Sequence, residues 1–171
     1  RYVYSASNPR QLRFLLTPEG RVTQYIYDAN GRVSSEITYL ADAYGVGGLA
    51  TTAVPSESQV VNWSNGLSDL SKTTKKSYSY DIQGQLAYFS EYDSTGSDGS
   101  GQGLRQTHYI RDQHGQLLQV IRPGAGSGNE VGNPTTTYAY DGLGRIVCEI
   151  DEHSNATTTA YIDSVQKSTV T

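Results

Sequence analysis

Apolar and aromatic residues alternate with polar ones along short stretches of this chain. Tyr78 and Tyr80, for example, alternate with Ser77 and Ser79. A period of two is typical of a β-strand whose two faces meet different surroundings. Similar stretches recur, and several end in an aspartate that is followed three residues later by a glycine. The pattern predicts an all-β fold of short strands and tight turns.

An eight-residue motif accounts for these turns and appears in four copies: tyrosine, any residue, tyrosine or a substitute, aspartate, two residues, glycine, then arginine or glutamine. The aspartate can accept a hydrogen bond from the backbone two residues on, and the glycine can adopt the left-handed conformation. Together they form a type I turn with a bulge, which is a common hairpin loop. The motif therefore predicts a β-hairpin in each copy, with structural roles for Tyr25, Tyr27, Asp28, Gly31, Arg32, Tyr78, Tyr80, Asp81, Gly84, Tyr109, Asp112, Gly115, Tyr138, Tyr140, Asp141, Gly144 and Arg145.

Hairpin geometry also predicts a register. Tyr25 is expected to face Ser35, and Thr23 to face Ile37. Each Asp–Arg pair is then an exposed cross-strand ion pair worth about 0.2–1 kcal/mol. Weaker copies of the turn are predicted at 17–22 and 151–155. In the fourth motif copy the same rule places on one face Tyr138, Tyr140, Ile146, Cys148 and Ile150.

Three stretches interrupt the repeat spacing within a single array that covers residues 1–171. They lie at about 41–72, 93–103 and 123–134, and they are predicted to be loop insertions. The last two are rich in glycine and have little apolar character, which is typical of mobile connections.

The 41–72 insertion also allows a short helix. Pro55 suits the first turn of a helix, Val60 and Trp63 lie at helical spacing, and Gly66 is a plausible C-terminal stop. Such a helix would cover part of the sheet with Val60, Trp63, Leu67 and Leu70.

Composition and charge narrow the function classes. The 13 Lys and Arg residues against 17 Asp and Glu residues give a net charge of −4, with no basic run beyond Lys75-Lys76. Nucleic acid is therefore not expected as a partner. No apolar stretch approaches the ~20 residues that cross a bilayer. The single cysteine, Cys148, excludes an intramolecular disulfide and leaves the redox compartment open.

The copies at Tyr25–Arg32 and Tyr138–Arg145 resemble the YD repeat, also called the RHS repeat. This repeat occurs in bacterial Rhs polymorphic toxins, in the B and C components of Tc toxins and in teneurins. Three positions depart from the pattern, because Gln85 and Gln116 replace arginine and Arg111 replaces the second tyrosine. The resemblance implies that consecutive hairpins form one curved antiparallel sheet, an arc of a shell that encloses a toxin or a C-terminal cargo domain.

The same resemblance also implies a class of protein and a set of partners. The chain has no methionine and is interpreted as a piece of a longer, secreted or surface-delivered bacterial protein. The Asp-Pro-x-Gly-Leu signature of the family's core is absent from the sequence. We therefore expect a non-enzymatic structural module without catalytic residues, cofactor or metal. Its expected partners are the rest of the array, the enclosed cargo and further copies joined through open sheet edges.

Other functions are less favoured by the residues. The Asp and Gly of each motif could bind a cation, but turn chemistry explains both residue types. Cys148 with a histidine could act in a hydrolase, but a buried, inert thiol is favoured. The main alternative is a carbohydrate-binding or cell-adhesion module that uses exposed tyrosines, because aromatic rings stack on sugars or on protein partners.

Overall fold

A computed structural model describes residues 1–124 and 133–162, together with the backbone of 167–170. These residues contain twelve strands and one helix. The strands are β1 (Tyr2–Tyr4), β2 (Leu12–Leu16), β3 (Val22–Tyr27), β4 (Val33–Tyr39), β5 (Thr73–Tyr80), β6 (Leu86–Thr95), β7 (Gly101–Arg111), β8 (Leu117–Ile121), β9 (Thr135–Tyr140), β10 (Ile146–Ile150), β11 (Ala156–Ile162) and β12 (Lys167–Val170). The helix α1 (Glu57–Asn65) lies between β4 and β5.

The strand order in the sheet is the order in the sequence, from β1 to β12. The strand pairs whose register is described are antiparallel. In the described part of the chain the sheet does not close, because β1 and β12 stand at opposite ends of this order. The predicted all-β fold, in which consecutive antiparallel hairpins build one sheet, is confirmed.

The predicted helix in the 41–72 insertion is present. Ser56 caps its N-terminus by accepting a hydrogen bond from the Gln59 backbone, while the Gln59 side chain accepts from the Ser56 backbone. This reciprocal arrangement satisfies backbone donors that a helix start leaves free. The helix ends at Asn65, and the backbone N–H of the next residue, Gly66, bonds back to the last turn.

The prediction of a loop over 93–103 is wrong. Strand β6 continues to Thr95 and β7 begins at Gly101, so that only a tight turn separates them. Gly99 donates to the Gly96 carbonyl at 2.9 Å and has a φ of +79°, which is the geometry of the motif turns. Most of the third predicted insertion, residues 125–132, lies outside the described residues.

The chain divides into two compact units. The first comprises residues 1–78 and 90–104, and the second comprises residues 79–89 and 105–171. The first unit has an apolar core in which the sheet and α1 pack together, formed by Val3, Phe14, Leu16, Val22, Tyr39 and Val60. The Trp63 and Tyr39 rings form an edge-to-face pair with centroids 5.1 Å apart, and Leu67 and Leu70 border the core, so the predicted helix cover is confirmed.

The second unit has far less burial. Among its described residues only Val120 and Thr136 are buried. Val120 pairs with Tyr109 on one side and with Thr136 on the other, so these three residues share a face of the sheet. The second unit is therefore a nearly coreless stretch of sheet.

The predicted register of the first motif is wrong beyond the turn. Tyr27 faces Val33, but Tyr25 faces Glu36 and Thr23 faces Thr38. The cause is an extra residue, Ser34, that bulges from β4 next to the turn. A shift of one residue moves every following side chain to the opposite face. The core face of this hairpin therefore carries Val22, Gln24, Ile26, Ser35, Ile37 and Tyr39, while the motif tyrosines lie on the other face.

The fourth motif copy has the same bulge, with Val147 as its extra residue. Tyr140 faces Ile146, but Tyr138 faces Glu149 and Cys148 faces Ala139. Cys148 and Ile150 therefore lie on the face opposite to the motif tyrosines, contrary to the prediction. Cys148 is half-buried, so the expectation of a buried thiol is also wrong.

Candidate functional site

The hairpin turns are the repeated feature of this chain, and seven of them share one geometry. In each, the first residue donates its N–H to the fifth residue's carbonyl, and the fourth donates to the first residue's carbonyl, at 2.8–3.0 Å. The fourth residue has φ between +68° and +87° in all seven. The turns comprise residues 17–21, 28–32, 81–85, 96–100, 112–116, 141–145 and 151–155. The turn at 96–100 was not predicted from the sequence, although Gly99 preceded by Asp98 was a signal for it.

The motif aspartate locks its turn through both carboxylate oxygens. Asp28 Oδ1 accepts from the backbone N–H groups of Asn30 and Arg32, each at 2.9 Å. Its Oδ2 accepts from Arg32 Nε at 2.8 Å and lies 2.7 Å from Arg32 Nη2. Asp141 binds Leu143 and Arg145 in the same way. The carboxylate is thereby occupied by its own turn, which is what a turn-forming role requires.

These hydrogen bonds favour the ionised carboxylate. The backbone N–H of Arg32, followed by the Arg32 guanidinium and the Asn30 N–H, holds the pKa of Asp28 below its usual value, although partial burial opposes this. The same groups of Arg145 and Leu143 lower the pKa of Asp141. Stabilisation of the charged form by donors is the general cause of such a shift.

In the two motif copies that lack arginine, the glutamine at that position packs against the turn glycine of the following copy. The Gln116 amide nitrogen lies 3.0 Å from the position that a Cβ on Gly144 would occupy, and Gln85 packs still more closely against Gly115. Gln83 Nε2 also donates to the Gln113 carbonyl at 2.9 Å. The turns of the second, third and fourth copies are thus in side-chain contact along one edge of the sheet.

The third motif position also connects neighbouring strands. Tyr27 donates its hydroxyl to the Leu12 carbonyl at 2.8 Å, and Tyr140 donates to the Leu117 carbonyl at 2.8 Å. Arg111, which occupies this position in the third copy, donates from Nη1 to a backbone carbonyl on β6. The sequence motif did not reveal these bonds, because their acceptors lie on strands that precede the motif.

Some aromatic side chains contact residues on other strands, whereas others are exposed. Tyr88 stacks on His108 with ring centroids 4.1 Å apart, and the Arg145 guanidinium lies 4.2 Å from the Tyr161 ring centre. Such pairs stabilise a sheet. By contrast, Tyr2 and Tyr4 on β1 are 60% and 50% exposed. They are the tyrosines most available to a partner.

Two further findings bear on chemistry. Within the described ranges, no group of three or more His, Cys, Asp or Glu side chains is arranged to hold a metal ion. The one helix described is too short and too polar to cross a membrane.

Residues 12–43, which contain strands β2 to β4 and the first motif copy, match the family described as RHS Repeat. The sequence match to this family is thus confined to that segment. No match is found among curated proteins.

One solved structure is similar in fold over nearly the whole chain. The Photorhabdus luminescens Tc holotoxin pore, solved with a mutation in TccC3, is similar over 98% of this chain at 16% identity, with a TM-score of 0.57. The crystal structure of TcdB2-TccC3-TEV covers 94% of this chain at 15% identity, with a TM-score of 0.36. This chain spans only 7% and 9% of those two chains. At this identity the holotoxin similarity shows a shared fold and nothing more.

Proposed function

We propose that this chain is a non-enzymatic structural module that forms part of the wall of a YD/RHS-repeat β-shell. The wall would enclose a toxin or a C-terminal cargo domain of a large secreted bacterial protein. Its direct partners would be the rest of the same array, which pairs with the edges of the sheet, and the enclosed cargo.

The observation that carries this proposal is the uninterrupted strand order from β1 to β12. Each hairpin pairs with the next along the chain, so that strand backbones are paired within the sheet, and among the described strands β1 and β12 are the two that form its edges. A wall needs this property. The match to the RHS Repeat family at residues 12–43 and the fold similarity to a Tc holotoxin over 98% of the chain support the assignment.

The test requires the full-length protein that contains this chain. We expect electron cryo-microscopy to show the hairpins in a wall around enclosed density, and limited proteolysis to leave the enclosed segment intact. As a control, removal of one hairpin of the wall, residues 135–150, should expose that segment to protease. An open sheet with a freely digested neighbouring segment would contradict the proposal.

A second candidate function is a carbohydrate-binding or cell-adhesion module. The exposure of Tyr2 and Tyr4 favours it, since both rings lie on one face of β1 and can stack on sugar rings. Isothermal titration after a glycan-array screen would show saturable binding that Tyr2→Ala and Tyr4→Ala abolish, whereas Tyr39→Phe, whose ring is in the core, should bind normally. Unchanged binding by the two alanine variants would exclude this tyrosine surface.

A further inference from the structure

A side-chain hydrogen bond recurs between neighbouring strands at the edge of the sheet where the motif turns lie. In the first unit the Tyr27 hydroxyl reaches the carbonyl of Leu12, the first residue of β2. In the second unit the Tyr140 hydroxyl reaches the carbonyl of Leu117, the first residue of β8. In both cases the donor is the third motif residue, and the acceptor begins the preceding strand.

The described backbone ladder to the donor's strand stops short of both carbonyls. The described pairing of β2 with β3 ends at Phe14, two residues after Leu12. The pairing of β8 with β9 ends at Gln119, two residues after Leu117. Both leucines are half-buried and lie beyond the last described backbone pair with the donor's strand, although each is paired with the strand on its other side, next to a bulge. The hydroxyl therefore adds a hydrogen bond where the ladder to the donor's strand has stopped, at the contact between that strand and the preceding one, which we call the seam.

Arg111, which replaces tyrosine at the third position of the third copy, indicates which side-chain property this position requires. Arg111 Nη1 donates to the carbonyl of Leu86, the first residue of β6. Arginine has no phenol ring, yet it reaches the equivalent acceptor with a terminal N–H. The shared property of tyrosine and arginine is a long side chain that ends in a hydrogen-bond donor.

We propose that the residue at the third motif position is a positioning residue. Its side chain holds the first strand of the motif against the preceding strand by a hydrogen bond to a backbone carbonyl at the seam. Its requirement is a long side chain with a terminal donor, and the aromatic ring is secondary. This role extends beyond the wall function, because it depends only on the local pairing and holds for any shape of the sheet.

The first test is Tyr140→Phe, which keeps the ring and removes the hydroxyl. We expect the folding equilibrium constant to fall about fivefold, as for the loss of one ordinary hydrogen bond. Hydrogen exchange should accelerate at the β8–β9 seam. The matched control is Tyr138→Phe on the same strand and the same face, since no hydrogen bond of the Tyr138 hydroxyl is described. It should leave stability and exchange unchanged.

Rescue separates donor chemistry from packing. Tyr140→Arg should recover most of the lost stability and the slow exchange at the seam, whereas Tyr140→Met, which is long but has no donor, should not. In the third copy Arg111→Tyr should be tolerated and Arg111→Met should accelerate exchange near Leu86. The proposal is overturned if Tyr140→Phe behaves like the unmodified protein, or if arginine rescues no better than methionine. If the Tyr140 variants do not fold, the Arg111 pair decides by the same criterion.

Discussion

The two units of this chain contain the same hairpin repeat but differ in what holds the repeat together. In the first unit α1 covers one face of the sheet and buries Phe14, Leu16, Val22 and Val60 almost completely. In the described part of the second unit Val120 is the one buried apolar side chain. The motif therefore specifies strands and turns without specifying a core, and the core of the first unit depends on an insertion that is not part of the motif.

This difference also indicates which interactions stabilise each unit. Burial of apolar surface stabilises more than any single hydrogen bond wherever a core exists, because each large side chain contributes roughly 1.5–3 kcal/mol. In the second unit the turns and seam hydrogen bonds contribute a greater share, although each is small. The contrast leads to four predictions, from the largest expected effect to the smallest.

The largest effect is expected from the core of the first unit. Phe14→Ala should destabilise that unit by about 3–5 kcal/mol, because it leaves a cavity in a fully buried site. Val120→Ala in the second unit should cost only about 1–2 kcal/mol. Urea unfolding measures both, with fluorescence of the single tryptophan, Trp63, reporting on the first unit. Equal losses for the two variants would contradict the contrast.

Acid is expected to weaken the aspartate turns of both units. Hydrogen bonds to the ionised carboxylates lower the pKa of Asp28, Asp141 and Asp151 in the folded chain. Their stabilisation is thus fully present above the unfolded value of about 3.9 and is lost as the pH falls below it through the folded pKa.

Because the second unit depends more on its turns, its strand signal should be lost at higher pH than the Trp63 signal of the first unit. Circular dichroism and fluorescence between about pH 5 and pH 2 would measure the two transitions. Asp141→Asn should reduce the acid sensitivity of the second unit. Stability that rises on acidification would contradict this prediction.

The turn glycines should be more sensitive than neighbouring glycines. Gly144 has a φ of +80° and faces the Gln116 amide, so Gly144→Ala should cost about 1–2 kcal/mol. Gly142, in the same turn, has open space around the position of a Cβ and does not have a positive φ. Gly142→Ala is therefore the matched control and should be neutral. Equal effects at the two positions would mean that turn geometry does not limit stability.

The smallest effect is a gain. Ser154 has a φ of +68° at the turn position that glycine occupies in the other six turns. Ser154→Gly should stabilise the second unit by up to about 1 kcal/mol, because it relieves the left-handed conformation of a non-glycine residue. Thermal unfolding should show a slightly higher midpoint, whereas the same substitution at Ser34, on β4, should not raise it. A lower midpoint for Ser154→Gly would contradict the interpretation.

Local chemistry accounts for what could be predicted from the sequence. An aspartate and a glycine three residues apart form a turn through contacts within five residues, so the hairpins at Asp28 and Asp141 were predictable. The limits of α1 were predictable for the same reason, since Pro55 precedes its start and Gly66 follows its end.

The sequence by itself thus determined the repeat, the turns, the antiparallel hairpins and the short helix, because each depends on residues that are close along the chain. Only the tertiary structure decided the register, since the bulge at Ser34 places Tyr25 opposite Glu36 and moves Ile37 to the core face. It also decided that 93–103 continues two strands and that Arg111 donates to a carbonyl of the preceding strand, as the tyrosines at this motif position do. These features depend on partners from distant parts of the chain, where one extra residue in a strand reverses which face is buried.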